Sequence, residues 1–370
     1  MPWSEVTVKD QREEFVRLGS QADANVSELC RRFGISRKTG YKWLGRDDLD
    51  DRSRRPHTSP RQLAPALEAR VLAVRVEHPA WGGRKIAHVL GRDEGVCVAP
   101  STVTSVLKRH RLISPAASAA ATPWQRFEHP APNALWQMDF KGHFATDRQR
   151  CHPLTVLDDH SRFNLVLQAL GSERREPVQR MLQRAFERYG LPERINVDNG
   201  PPWGTPMEGA LTALGVWLIR LGVRLSHSRP LHPQTNGKDE RFHRTMDAEV
   251  LLGRRFRDLD DAQRQFSHWR HVYNFQRPHE AIGMQTPASR YAASPRSMPA
   301  KLPEVHYGPD DIVRRVGDGG RISMRGHKLR VGKALIGQDV ALRPCLDRDG
   351  AFDVYFCHHK LDPMELDQDG

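Results

Sequence analysis

Cysteine is what this chain is shortest of. Its five cysteines, Cys30, Cys97, Cys151, Cys345 and Cys357, are odd in number, scattered, and nowhere paired as CxxC. Neither a disulfide framework nor a zinc site is indicated. Long apolar runs are missing too, since no stretch approaches the roughly 20 residues a membrane helix needs. The opening Met1-Pro-Trp-Ser-Glu-Val6 is neither basic nor followed by an apolar run, so no signal peptide is expected and the chain is assigned to the cytoplasm. What is abundant is positive charge: 57 Lys and Arg against 45 Asp and Glu, a net +12 with a pI near 9.8. That balance suits a polyanionic partner, most economically nucleic acid, although genomic base composition also produces Arg-rich chains. A length of 370 residues leaves room for about two to four domains.

Three stretches carry the chemistry. Leu135-Trp-Gln-Met-Asp-Phe-Lys-Gly-His143 alternates like a strand and places Asp139 inside it, where aspartate is unfavourable without a reason. Ile195-Asn-Val-Asp-Asn-Gly-Pro-Pro-Trp203 reads as a short strand ending at Asp198, with Asn199-Gly200 turning the chain. Open α/β sheets place their sites at such carboxyl ends, though Asp-Asn-Gly is also a common turn. His232-Pro-Gln-Thr-Asn-Gly-Lys-Asp-Glu-Arg-Phe-His-Arg-Thr245 offers a turn at Asn236-Gly237, with Asn236 capping a helix that carries Glu240 and Arg244 one turn apart. A carboxylate flanked by Lys238, Arg241 and Arg244 suits a metal held beside a polyanion. An exposed helix with ordinary i,i+4 pairs is the alternative for that stretch alone.

Taken in this order, the three stretches resemble the Asp, Asp, Glu triad of retroviral-integrase-like DDE transposases, and most closely the IS481-type bacterial insertion-sequence transposases. Asp158-Asp-His-Ser-Arg162 and Tyr273-Asn-Phe-Gln-Arg-Pro-His279 are further family-like marks. The resemblance implies catalytic and metal-binding roles for Asp139, Asp198 and Glu240, with two Mg²⁺ (or Mn²⁺) ions per active site. It implies double-stranded DNA, transposon end and target, as partner, and a homo-oligomer on that DNA in a bacterial, nucleoid-associated setting. Water as nucleophile gives strand cleavage, and a DNA 3′-hydroxyl gives strand transfer. The interval from Asp198 to Glu240 is longer than in retroviral integrases; an apolar helix over 207–221 accounts for it. Asp158 and Asp159 are the rival carboxylates, and their place before Ser161-Arg162 suggests a structural turn. A ribonuclease H-like nuclease without strand transfer and a transposase-derived DNA-binding regulator are the competing functions.

Read in order, the chain is multidomain. Residues 1–50 pattern as an all-α helix-turn-helix unit, with Asn25 or Ser27 and then Ser36 as caps and Gly34-Ile35 as the turn. Arg37, Lys38, Thr39 and Lys42 open its recognition helix, where base edges would be met; a helical bundle with a solvated basic face is the alternative. A charged linker follows, and Arg54 in it is expected along phosphates. Residues 60–112 look like a second helix-turn-helix unit, plain or winged, with Arg84, Lys85, Ser101, Thr102, Lys108 and Arg109 as DNA contacts. Residues 113–126 form a small-residue linker. From 127 to 296 the pattern is mixed α/β: strands at 135–145, 153–160 and 163–170 as an antiparallel meander, a helix over 176–189, and a strand at 194–198. The 207–221 helix, a strand at 222–227, the Glu240 helix and a helix over 260–274 complete it. By resemblance this is the ribonuclease H-like integrase catalytic core. Residues 304–362 alternate in short segments between Gly-rich turns, which favours a small β-barrel, SH3-like by the same resemblance.

Overall fold

The computed structural model describes residues 7–51, 62–113, 128–205, 210–227, 237–345, 348 and 350–365. Arg54, both linker centres, and Pro233 to Asn236 lie outside the described residues. The chain divides after Gln62 into two units.

Among the described residues the first unit holds three helices: α1 (Val8–Gly19), α2 (Val26–Arg32) and α3 (Arg37–Leu44). Each start is fixed locally. Thr7 and Asp10 form a reciprocal capping box, Asn25 caps α2, and Ser36 caps α3 through the Thr39 N–H. Phe15, Cys30 and Trp43 are the buried centre. Gly40 is obligatory on α3, because a Cβ there would stand 2.5 Å from Cys30 Sγ and 2.9 Å from the Phe15 ring.

The second unit begins with α4 (Pro65–Glu77), α5 (Gly83–Glu94) and α6 (Pro100–Arg109) around Val71, Trp81, Ile86, Leu90, Val103 and Leu107. A Cβ on Gly83 would lie 2.2 Å from Thr104 Oγ1, so glycine lets α5 and α6 cross this closely. Val272 of the following domain joins the same apolar cluster. Glu280 receives Arg84 at 3.1 Å and Lys85 at 3.4 Å, and Arg92 donates to the Gln276 carbonyl at 3.1 Å. The three helices are therefore seated on the α/β domain, an attachment that the sequence reading, with a linker between them, did not contain.

That domain is a sheet covered on both faces. Strands β1 (Trp136–Phe140), β2 (Phe144–Ala145), β3 (Arg150–Asp158) and β4 (Asn164–Leu170) pair antiparallel through β3. The single strand expected over 135–145 breaks at Gly142, whose φ of +88° turns the chain between β1 and β2. Helix α7 (Arg175–Tyr189) leads to β5 (Arg194–Val197), parallel to β1; α8 (Ala213–Arg220) leads to β6 (Arg224–His227), parallel to β5. Antiparallel meander, crossover, then parallel strands is the arrangement of an integrase catalytic core. Trp136, Met138, Leu154 and Val156 meet α7 and α8 on one face. On the other face Leu157, Leu167 and Ala169 meet α9 (Gly237–Met246) and α10 (Leu259–His271). Both α9 and α10 run into five-residue π-helical turns, Asp247–Leu251 and Val272–Gln276. A one-turn helix α11 (Pro287–Arg290) follows.

The C-terminal segment holds β7 (Ile312–Arg315), β8 (Arg321–Met324), β9 (His327–Arg330), β10 (Asp339–Pro344), β11 (Ala351–Phe356), β12 (His359–Lys360) and β13 (Met364–Glu365). The expected barrel is not closed among the described residues: β8 and β9 pair only with each other, apart from the five-stranded sheet of the rest. The module packs on the core through Val216 and Ile219 of α8. Among the described residues, no helix is long and apolar enough to cross a membrane.

Candidate active site

Strand register brings the two aspartates together. Parallel β1 and β5 pair Trp136 with Ile195 and Gln137 with Asn196, and that register carried two residues further sets Asp198 level with Asp139. Alternation along β1 turns Trp136 and Met138 into the α7 side and Asp139 to the side that α9 covers. Glu240 sits in the first turn of α9 and is exposed. Burial lifts the Asp139 carboxyl to about 7, and Asp198, Glu173 and Glu240 push it the same way against one backbone N–H. The other carboxylates thus act on Asp139 electrostatically. Among the described residues, however, no three His, Cys, Asp or Glu side chains are grouped to hold one ion.

The scaffold around them is specific. Asp198 Oδ1 accepts from the Gly200 N–H at 3.0 Å and from Trp203 Nε1. Trp203 is itself buried and stacked 5.2 Å from Phe140, so this packing residue also orients the carboxylate. Thr155 Oγ1 donates to the Asp139 carbonyl at 3.0 Å and meets His243 Nε2 at 2.9 Å. With the hydroxyl hydrogen given to the carbonyl, the ring nitrogen must be the donor. Burial, with Lys141 second, drops His243 to about 3, so the ring is neutral. Asp158 and Asp159 form the turn foreseen for them. Asp158 is bonded to the Asn133 and Ser161 N–H groups, and Asp159 to His129 N–H, Gln137 and Lys238.

The residues expected at DNA fall into two groups. Arg37, Lys38 and Lys42 on α3, Ser101 and Lys108 on α6, and Arg241 and Arg244 on α9 are exposed. Thr39 and Thr102 are half-buried, with Thr39 bonded to Ser36. Arg84, Lys85, Arg109 and Lys238 point to carboxylates of the protein itself: Glu280, Glu280, Glu68 and Asp159. Lys85 and Lys238 are both largely buried, and burial depresses their ammonium pKa. Sequence reasoning missed Thr155, His243 and Asp239. Asp239 is completely buried, with neither carboxylate oxygen bonded among the described residues. The 273–279 motif is structural: Asn274 bonds both backbone groups of Asn164 at the start of β4, and Arg277 reaches Glu249 at 3.0 Å to tie the two π-helical turns.

Comparison with known families agrees with this architecture. Residues 129–233 and 221–287 match the integrase core domain. Residues 11–57 match a helix-turn-helix domain and 39–107 a homeodomain-like domain. The fold and these matches define an integrase-core protein with helix-turn-helix units at its N-terminal end. Residues 311–369 match the IS481 family transposase C-terminal domain. Together these matches support the resemblance to the IS481-type transposases. The chain is 26% identical over 294 residues to an insertion element IS476 protein of 39.2 kDa from Xanthomonas euvesicatoria, covering 78% of this chain and 79% of that one. It is 31% identical over 167 residues to an insertion element IS407 protein of 31.7 kDa from Burkholderia multivorans, covering 45% of this chain and 58% of that one. Among solved structures, the HTLV-2 integrase catalytic core domain in complex with magnesium is 17% identical, covers 44% of this chain and 99% of its own, and has a TM-score of 0.32.

Proposed function

We propose that this chain is the transposase of a bacterial insertion sequence, which binds the element's terminal inverted repeats and catalyses metal-dependent strand cleavage and strand transfer. The observation that supports the reading is the β1–β5 register, which sets Asp198 level with Asp139 at the carboxyl ends of two neighbouring central strands, with α9, the helix of Glu240, packed on β1. Their donor chemistry fits a divalent cation: all are hard oxygens, and the Asp139 carboxyl is held up by burial and like charge that a cation would relieve. Asp139, Asp198 and Glu240 would hold Mg²⁺ or Mn²⁺, as two ions. Such ions, when bound, activate an oxygen nucleophile and stabilise the leaving oxygen of a phosphodiester.

The chain's own groups do the rest. Trp203 and the Gly200 N–H fix the Asp198 carboxylate, and Thr155 with neutral His243 fixes the strand that carries Asp139. Arg241 and Arg244 stand exposed on the Glu240 helix, where they would meet phosphates. Helices α3 and α6 would read base edges, and joining two ends calls for a dimer or larger assembly working at the nucleoid.

The test is incubation with the element's end DNA and Mg²⁺ or Mn²⁺. Asp139→Asn, Asp198→Asn and Glu240→Gln should each abolish nicking and joining while end binding survives. Near wild-type joining by any one of them would sink the assignment. Nicking without joining by the wild-type chain would favour a nuclease, and binding without nicking a regulator.

A further inference from the structure

Most buried acidic side chains of the core domain have an evident partner. Asp158 has Asn133 and Ser161, Asp159 has Lys238 and Gln137, and Glu249 has Arg277 and Trp269. Asp239 stands apart. Its side chain is fully buried, and neither oxygen has a hydrogen-bond partner among the described residues. An isolated buried carboxylate is costly, and the groups that act on this one, Asp139, Asp159 and Glu240, are all acidic.

Helix geometry explains the placement. Consecutive residues on a helix are separated by roughly 100°, so Glu240 reaches the exposed rim of α9 while Asp239 faces inward. Asp139 lies on the sheet face that α9 covers, the side on which Phe242 and Met246 are packed. Both successive carboxylates of α9 thus lie within electrostatic reach of Asp139, Glu240 from the rim and Asp239 from the buried face.

We propose that Asp239 is a fourth carboxylate of the divalent-cation site, lying beneath the rim position of Glu240 and facing the strand of Asp139. The inference rests on the reading of Asp139, Asp198 and Glu240 as cation ligands. Charge supports it: four carboxylates balance two divalent ions, whereas three leave one positive charge over. A hard oxygen that is desolvated already and bonded to nothing costs little to bring to a cation.

Mn²⁺ titration of the full chain, followed by the electron paramagnetic resonance of free Mn²⁺, tests this without any catalytic readout. Asp239→Asn, which keeps shape, and Asp239→Val, which removes polarity, should each weaken Mn²⁺ binding about tenfold or more. The same substitutions should raise the metal-free melting temperature by about 2–4 °C, since they remove a buried carboxyl with no hydrogen-bond partner among the described residues. Asp139→Asn is the control. If Asp139→Asn weakens Mn²⁺ binding and both Asp239 variants leave it unchanged, Asp239 is a packing residue and the proposal is overturned. If Asp139→Asn also leaves binding unchanged, the cation-site reading itself has failed. A melting temperature lowered by both Asp239 variants, with Mn²⁺ affinity intact, likewise overturns the proposal.

Discussion

His243 shows how much of this site is held by a single protonation state. In the fold its ring stays neutral down to about 3, against an ordinary value of 6.5, because burial and Lys141 disfavour the charged form. Protons therefore bind the unfolded chain first. The stability tied to the neutral ring is complete above pH 6.5 and drains away as pH falls from there toward about 3. His243→Gln should flatten that dependence. The wild-type loss of unfolding free energy between pH 7 and pH 5, measured by urea denaturation, should shrink by about 1–2 kcal/mol. An unchanged slope would place the acid sensitivity elsewhere, with buried His279 the next candidate. The same ring bonds Thr155, and Thr155 holds the Asp139 carbonyl, so the variant should also loosen β1 where the first aspartate sits.

At the scale of elements, helices and strands follow from spacing, but their partners do not. Asp139 and Asp198 were legible because an aspartate in an apolar strand and one at a strand's end both break local rules. Asp239 was not, since Lys238-Asp239-Glu240-Arg241 reads as an exposed charged turn until the sheet is laid beneath it. The pairing of Lys85 was not legible for the same reason: a basic residue after a Gly-Gly turn suits a phosphate, and only the fold shows Glu280 across from it. The break of β1 from β2 at Gly142 and the unclosed C-terminal strands depend on pairing at a distance that alternation does not encode. Glu280→Gln should cost about 1–3 kcal/mol, because it leaves the Lys85 ammonium largely buried without its counter-charge. Adding Lys85→Met should recover most of that loss. A double-mutant cycle on thermal unfolding gives the coupling, and strict additivity would mean that the pair does not fasten α5 to the core.

Across the whole molecule, the proposed function assigns general attraction to DNA to the net charge of +12 and specific reading to the exposed α3 face. Arg37→Ala should relax selectivity at one base position by about 1–3 kcal/mol. Lys108→Ala should weaken all sequences alike and lower the salt slope by about one unit. Competition binding over a salt series separates the two, and equal losses on every sequence for Arg37→Ala would remove α3 from base reading. The seat of α4 to α6 on Val272, Gln276 and Glu280 has a consequence for inheritance. A recombination that exchanged residues 63–113 between two such elements would transplant half of an interface whose other half lies some 160 residues or more downstream. The hybrid would present Lys85 and the apolar face of α4 and α5 to a surface shaped for another sequence. Under the proposed function, new end specificities should therefore arise more readily by drift on the exposed side of α6, or by exchange of the separate unit that ends at Gln62, than by shuffling the helices seated on the core.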